Sequence, residues 1–248
     1  MLTLSTVEII AIIVCAFLFE YLDSTLGMGY GTTLTPMLIL FGFGPLQIVP
    51  VVLLSELITG LLAAFFHHNE GNVNLKPKTT NISVIIRKLK SLGYIKSYKR
   101  GIPLHLKVAL LLAVCSILGT VVAVFVAVNI PKFWLNLYIG CLVLSMGVLI
   151  LVTLNKNYNF SWNKITALGL IASFNKGMSG GGYGPVVTGG QILAGMEEKS
   201  AISITSLAEG LTCIVGLITY IFFTKAIIDW RLAPYLIIGA VLSVPLMR

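Results

Sequence analysis

The sequence predicts an all-helical, polytopic membrane protein built from two homologous halves. Three observations carry that expectation: apolar runs long enough to cross a bilayer, a scarcity of charge, and a glycine-rich pattern that recurs at a fixed offset. Hydrophobic residues make up 57% of the chain and charged residues 10%, with a mean hydropathy of +0.96. Soluble domains carry about 25% charged residues, so this chain has too little charge to wet a globular surface. Several of its runs reach the ~20 residues needed to cross a hydrocarbon core about 30 Å thick.

The first span covers residues 7–26. It is too long, and with Glu20 and Asp23 too polar at its end, for a cleaved signal peptide. A break at Gly27, Gly29 and Gly31 leads into a short apolar piece, residues 32–43. At ~1.5 Å rise per residue that piece reaches only about 18 Å, so it predicts a re-entrant or discontinuous helix. Gly42, Gly44 and Pro45 form a turn before a long span over 46–66. The polar stretch 67–103 follows, with a surface helix expected over 82–92. Spans over 104–128 and 133–154 complete a first half, residues 1–154, and the asparagine-rich segment 155–163 is a linker. The second half, residues 164–248, opens with a span that begins in the linker and covers 162–174. The stretch S-F-N-K-G-M-S-G-G-G-Y-G (173–184), a short piece over 185–195, a span over 200–223 and a last run from Leu232 follow. Nothing after that run matches the fourth span of the first half, so the second half is expected to be truncated at its C-terminus.

The net charge of +8 suggests nucleic acid until it is located. Nine of the 17 basic residues lie within residues 76–107, between two spans. A basic loop there predicts a cytoplasmic location for 67–103 and not a nucleic-acid surface. Cys15, Cys115, Cys141 and Cys213 fall in apolar runs without C-x-x-C spacing, and read as packing residues. No cofactor or metal motif is present.

Sliding the chain by 153 positions superposes the two glycine regions without a gap. Gly27 meets Gly180, Gly29 meets Gly182, Tyr30 meets Tyr183 and Gly31 meets Gly184. In the same register Thr35 meets Thr188, Gly42 meets Gly195, Glu56 meets Glu209 and Thr59 meets Thr212. Apolar coincidences mean little in so hydrophobic a chain, whereas Gly, Tyr, Glu and Thr matches in one register point to duplication. Duplicated halves that each supply a discontinuous segment are the mark of secondary transporters. If the short pieces cross with their flanking loops, the halves are inverted; if they turn back, the halves are parallel. The N-terminus lacks Lys and Arg before the first span, which favours inversion.

G-x-G-Y-G-x-x-x-T from Gly27, followed by Ser55-Glu56-x-x-x-Gly60, resembles the sulfite exporter TauE/SafE family, also called the 4-toluene sulfonate uptake permeases. The second copy, N-K-G-M-S-G-G-G-Y-G-P-V-V from Asn175 with Ala208-Glu209-Gly210-Leu211-Thr212, is similar again. The resemblance covers essentially the whole chain. It implies ion-coupled movement of small sulfur-containing or organic anions across the cell membrane. The copies differ: Met28 stands opposite Gly181, and Asp23 opposite Lys176, so the two are not expected to bind substrate equally.

Glycine admits positive φ, and successive amides in such turns make a concave anion site. The candidate substrate-binding residues are therefore Gly29, Tyr30, Gly31, Asn175, Lys176, Ser179, Gly180, Gly181, Gly182 and Tyr183, with Gln191 a further polar candidate. Lys176 either adds attraction for the anion or pairs with Asp23 or a Glu inside the membrane. Glu56 and Glu209 lie deep in their spans, and Thr59 and Thr212 share their helical faces one turn on. Two readings stand for these glutamates: proton coupling, or support of the facing glycine loop through its amides.

Gly177-Met178-Ser179-Gly180 has the form of an intramembrane serine protease motif, but that chemistry needs a base beside the serine. His67, His68 and His105 lie at the edges of the basic loop and read as interfacial residues, which leaves an enzyme unsupported. The expected partners are thus a small anion, the lipid bilayer and a coupling proton, with a passive anion channel as the alternative to a transporter.

Overall fold

The computed structural model describes residues 4–73, 103–153, 161–224 and 228–246. The helix expected over 82–92, most of the basic loop and most of the linker lie outside the described residues. The described residues form helices α1 (Thr6–Leu26), α2 (Tyr30–Leu40), α3 (Pro45–Asn69), α4 (Leu104–Asn129) and α5 (Lys132–Thr153). These are followed by α6 (Trp162–Ser179), α7 (Tyr183–Leu193), α8 (Glu198–Thr224) and α9 (Ala233–Ser243), the last running on into a 3-10 turn, Val244–Leu246. No strand occurs among the described residues. Five helices, α1, α3, α4, α5 and α8, are long and apolar enough to cross a membrane.

Local chemistry sets several helix ends. Ser5 and Glu8 form a reciprocal capping box at the start of α1. Ahead of α9, the Asp229 carboxylate takes two bonds from the Arg231 guanidinium, which hold it below the usual carboxylate range. The Asp229 carbonyl also receives the Leu232 and Ala233 amides.

The molecule is apolar outside and polar within. Large side chains on α4 and α5 such as Leu118, Val122, Leu144 and Leu151 are exposed. Glu20, Glu56, Lys176, Gln191, Thr205, Glu209 and Thr212 are buried. That distribution suits a lipid solvent and is the reverse of what water selects. The most enclosed spans are α3 and α8, which pack along each other at the centre. They run antiparallel: Gly60 abuts Ser206 and Gly210, and further back along α3 Leu53 abuts Gly216 further along α8. Around them α4 packs on α6 and α9 packs on α1.

α1 and α6 end the same way. Gly27 (φ 71°) and Gly180 (φ 73°) adopt the left-handed conformation and return their amides to the carbonyls of Asp23 and Lys176. A left-handed cap is the ordinary use of glycine after a helix. The two breaks then meet face to face with no side chain between them. A Cβ on Gly31 would collide with the Gly180 carbonyl, and one on Gly184 with the Gly27 carbonyl. These two contacts interchange when each glycine is replaced by its partner at the 153-residue offset.

One boundary differs from expectation. The sixth helix does not stop at residue 174 but continues through Asn175, Lys176, Gly177 and Met178 to Ser179, so the irregular segment shrinks to Gly180, Gly181 and Gly182. Within that helix Gly177 packs where a larger residue would strike Thr120 and Ala123 of α4. Its glycine serves close helix packing and does not break the helix.

Gly31→Ala should therefore destabilise the protein by about 1–3 kcal/mol or more, the cost of overpacking. Gly147→Ala, whose added methyl meets nothing within 4 Å, should be neutral or slightly stabilising. Thermal unfolding in detergent separates the two, and equal midpoints would mean that the turns do not abut.

Candidate functional site

Glu56 lies within one position of the centre of α3 and Glu209 within two of the centre of α8. Both carboxylates converge on Lys176 near the end of α6. The Lys176 ammonium donates to Glu209 Oε1 at 2.7 Å and to Glu56 Oε2. Lys176 is completely buried. Desolvating an ion costs several kcal/mol, which an ion pair offsets only with good geometry and further hydrogen bonds. Glu56 has one such bond, accepting the Gly31 amide at 3.1 Å through Oε1.

The helix breaks are held by the same carboxylates and by hydroxyls. Asp23 Oδ1 accepts the Tyr30 amide (3.2 Å), so two carboxylates sit at the amide end of α2, where the helix dipole favours negative charge. The amide of Gly182 donates to Thr32 Oγ1 of the opposite break (2.9 Å), and that of Gly181 to Ser179 Oγ (3.1 Å). Thr188 Oγ1 donates to the Gly27 carbonyl at 2.8 Å and so links α7 to the first break.

The other expected residues gather in this region with individual roles. Gly29 is the residue before α2, with φ 136°. The Tyr30 hydroxyl pairs with Ser55 Oγ (2.8 Å), whereas the Tyr183 hydroxyl is buried without a hydrogen-bond partner. Asn175 Oδ1 accepts the Tyr138 hydroxyl at 2.7 Å. Ser179 Oγ donates to the Asn175 carbonyl at 2.8 Å, a backbone partner that cannot serve as a catalytic base. Thr59 and Thr212 donate to the carbonyls four residues back, Ser55 and Ala208. Gln191 donates to Val187 and Thr205.

Sequence reasoning left three residues outside the site: Glu20, Asp23 and His67. Glu20 and Asp23 of α1 join Glu56 and Glu209 in lining a narrow cleft. They are one helical turn apart in an otherwise apolar span, a pattern that marks functional intramembrane carboxyls. His67 is buried at the end of α3: Nε2 meets the Ser24 carbonyl at 3.2 Å and Nδ1 meets Asn72. Its bond to α1 was out of reach of the sequence because it joins residues 43 apart.

Apolar spans around a polar centre, two helix breaks pressed together and charges buried midway along their helices make this a multi-pass membrane protein. The chain belongs to the sulfite exporter TauE/SafE family, whose family model matches residues 12–86 and 79–248. It is similar to a probable membrane transporter protein, YtnM, of Bacillus subtilis (strain 168), at 28% identity over 189 residues. That match takes in 71% of this chain and 53% of the relative, so the chain spans about half the relative's length. No solved structure matches the chain.

Lys176→Met should leave two buried carboxylates facing each other and cost about 3–5 kcal/mol. Adding Glu56→Gln and Glu209→Gln should recover most of that loss. Thermal unfolding of the single and triple variants checks this; a silent single variant would remove the ion pair from the account of stability.

Proposed function

We propose that this chain forms the core of a secondary transporter that moves small sulfur-containing or organic anions, sulfite-like or sulfonate-like, across the cell membrane. The observation that carries this reading is Lys176, a buried ammonium beside two helix breaks and between two mid-span carboxylates. A cation kept so deep in lipid is costly without a task, and a small oxyanion is the guest whose charge it matches. In this reading Gly29, Gly31, Gly180, Gly181 and Gly182, with Tyr30, Asn175, Ser179 and Tyr183, line the anion's site, and donors now engaged within the protein, such as the amides of Gly31, Gly181 and Gly182, exchange their present partners for it.

In this reading the anion competes with Glu56 and Glu209 for Lys176. A proton on either glutamate loosens its hold on the ammonium and leaves positive charge for the anion. One ammonium beside four carboxyl groups cannot receive an anion unless protons accompany it. That charge balance favours a proton-coupled carrier over a passive channel.

Residues 1–154 and 164–248 are read as inverted repeats whose relative motion exposes the site alternately. The antiparallel contact of the equivalent helices α3 and α8 supports inversion. The basic loop 67–103 is assigned to the cytoplasm by the eight Lys and Arg it carries.

Thermal unfolding in the presence of sulfite, sulfate, thiosulfate, sulfonates and carboxylates identifies the anion. A ligand at 100 times its dissociation constant should stabilise the protein by about 2.7 kcal/mol. The Lys176→Met/Glu56→Gln/Glu209→Gln variant should lose that response. In liposomes the flux should saturate and respond to a pH gradient; non-saturating flux indifferent to pH would make the protein a channel.

A further inference from the structure

We infer that Glu20 of α1 is the group that loads the coupling proton. This rests on the transport reading above, but it assigns the proton to a residue outside the Lys176 ion pairs. Glu56 and Glu209 each have an oxygen on the ammonium, so each has a cationic partner where it stands, although the single positive charge is shared between them. Glu20 pairs with no cation among the described residues. It is only 2% exposed; Oε1 accepts the Ser24 hydroxyl at 2.9 Å, and Oε2 is buried without a hydrogen-bond partner.

An orphan carboxyl oxygen inside a protein calls for a bound species. Here Glu20 lines a cleft shared with Asp23, Glu56, Thr59, Ser206 and Glu209, whose interior has room for about one water molecule. A metal ion would need several ligands in a shell, yet no three carboxyl, imidazole or thiol groups converge that way among the described residues. A proton needs one oxygen. Proton delivery through the cleft converts the Glu20 carboxylate to the acid, with the new O–H at Oε2. Release returns the proton to water when the cleft opens on the other side.

The surroundings make this charge count. Asp23 on the same helix and Glu56 on α3 act on Glu20 directly, and Tyr30 of α2 stands close enough to sense it. His67, also on α3, fixes the Ser24 carbonyl, while Lys199 of α8 acts on His67. Lys176 and Glu209 complete the charged set through Asp23. The helix packed against the other side of α1, α9, contributes Tyr235 as its titratable group. A proton on Glu20 removes one negative charge from the cleft it shares with Glu56 and Glu209, which lowers the repulsion met by an anion that approaches Lys176. Its departure restores that repulsion and favours release of the anion. Occupancy of Glu20 and of the anion site are thereby linked.

The test uses the full chain in liposomes, with labelled sulfite as probe, and pairs transport with infrared pH-difference spectra. In Glu20→Gln, sulfite accumulation driven by an imposed pH gradient should fall at least tenfold relative to sulfite–sulfite exchange measured at equal pH. The carboxylic-acid stretching band that titrates in the wild type should lose one component. If Glu20→Gln does not fold, Ser24→Ala, which removes only the bond to Oε1, should move the midpoint of that component. Retained pH-driven accumulation, accumulation driven by sodium instead, or an unchanged band in the variants would overturn the assignment. Absence of sulfite flux in the wild type would count against sulfite transport alone, because the infrared comparison still decides whether Glu20 takes the proton.

Discussion

One buried ammonium group shared by two carboxylates is the constraint on which the centre of this protein depends. Lys176 draws Glu56 from α3 and Glu209 from α8, and neither carboxylate could remain in mid-membrane without it. To bring a side chain from α6 between those two spans, the neighbouring backbones must approach closely. Gly60 and Gly210 line the α3–α8 contact, and at the helix breaks Gly31, Gly181 and Gly184 let the two backbones touch. The network also ties chemistry to shape, because Glu56 holds Lys176 with one oxygen and the first turn of α2 with the other. A change of charge at Glu56 reaches both.

The two breaks share a plan but not their chemistry. Asp23 and Lys176 occupy equivalent positions four residues before equivalent left-handed glycines, and each accepts that glycine's amide through its backbone carbonyl. Their side chains then diverge: Asp23 supports the start of α2, while Lys176 crosses to the glutamates. The tyrosines diverge too. Tyr30 finds Ser55, whereas the matching position for Tyr183 is Ala208, which offers no hydroxyl, so the Tyr183 oxygen is left unpaired. Backbone geometry is thus matched at the two breaks, while the side chains beside them make different contacts.

Much of the architecture was legible in the sequence because hydrophobic length is a local property. The five long spans fell within a few residues of their observed limits. Register between the glycine regions was also readable, since a fixed offset needs no three-dimensional information. What the sequence concealed was contact. Lys176 had two possible kinds of partner, and only the packing of α6 against the centre brings it to both glutamates. Glu20 looked like the polar end of a span because its neighbours on α3 and α8 are distant in the chain. The end of α6 was misplaced for a related reason: Gly177 resembles a breaker until Thr120 and Ala123 are seen pressed against it.

The pairing of α1 with α9 has a consequence for how the protein is made. Gly239 of α9 sits against the Ile13 carbonyl and Ala16, a contact between helices more than 200 residues apart in the chain. At roughly 5–20 residues per second, α1 waits about 10–45 s after its own synthesis for this neighbour. Through that interval the acidic side chains of α1 lack their final surroundings. Biogenesis must therefore shelter an incompletely neutralised segment until α9 is inserted.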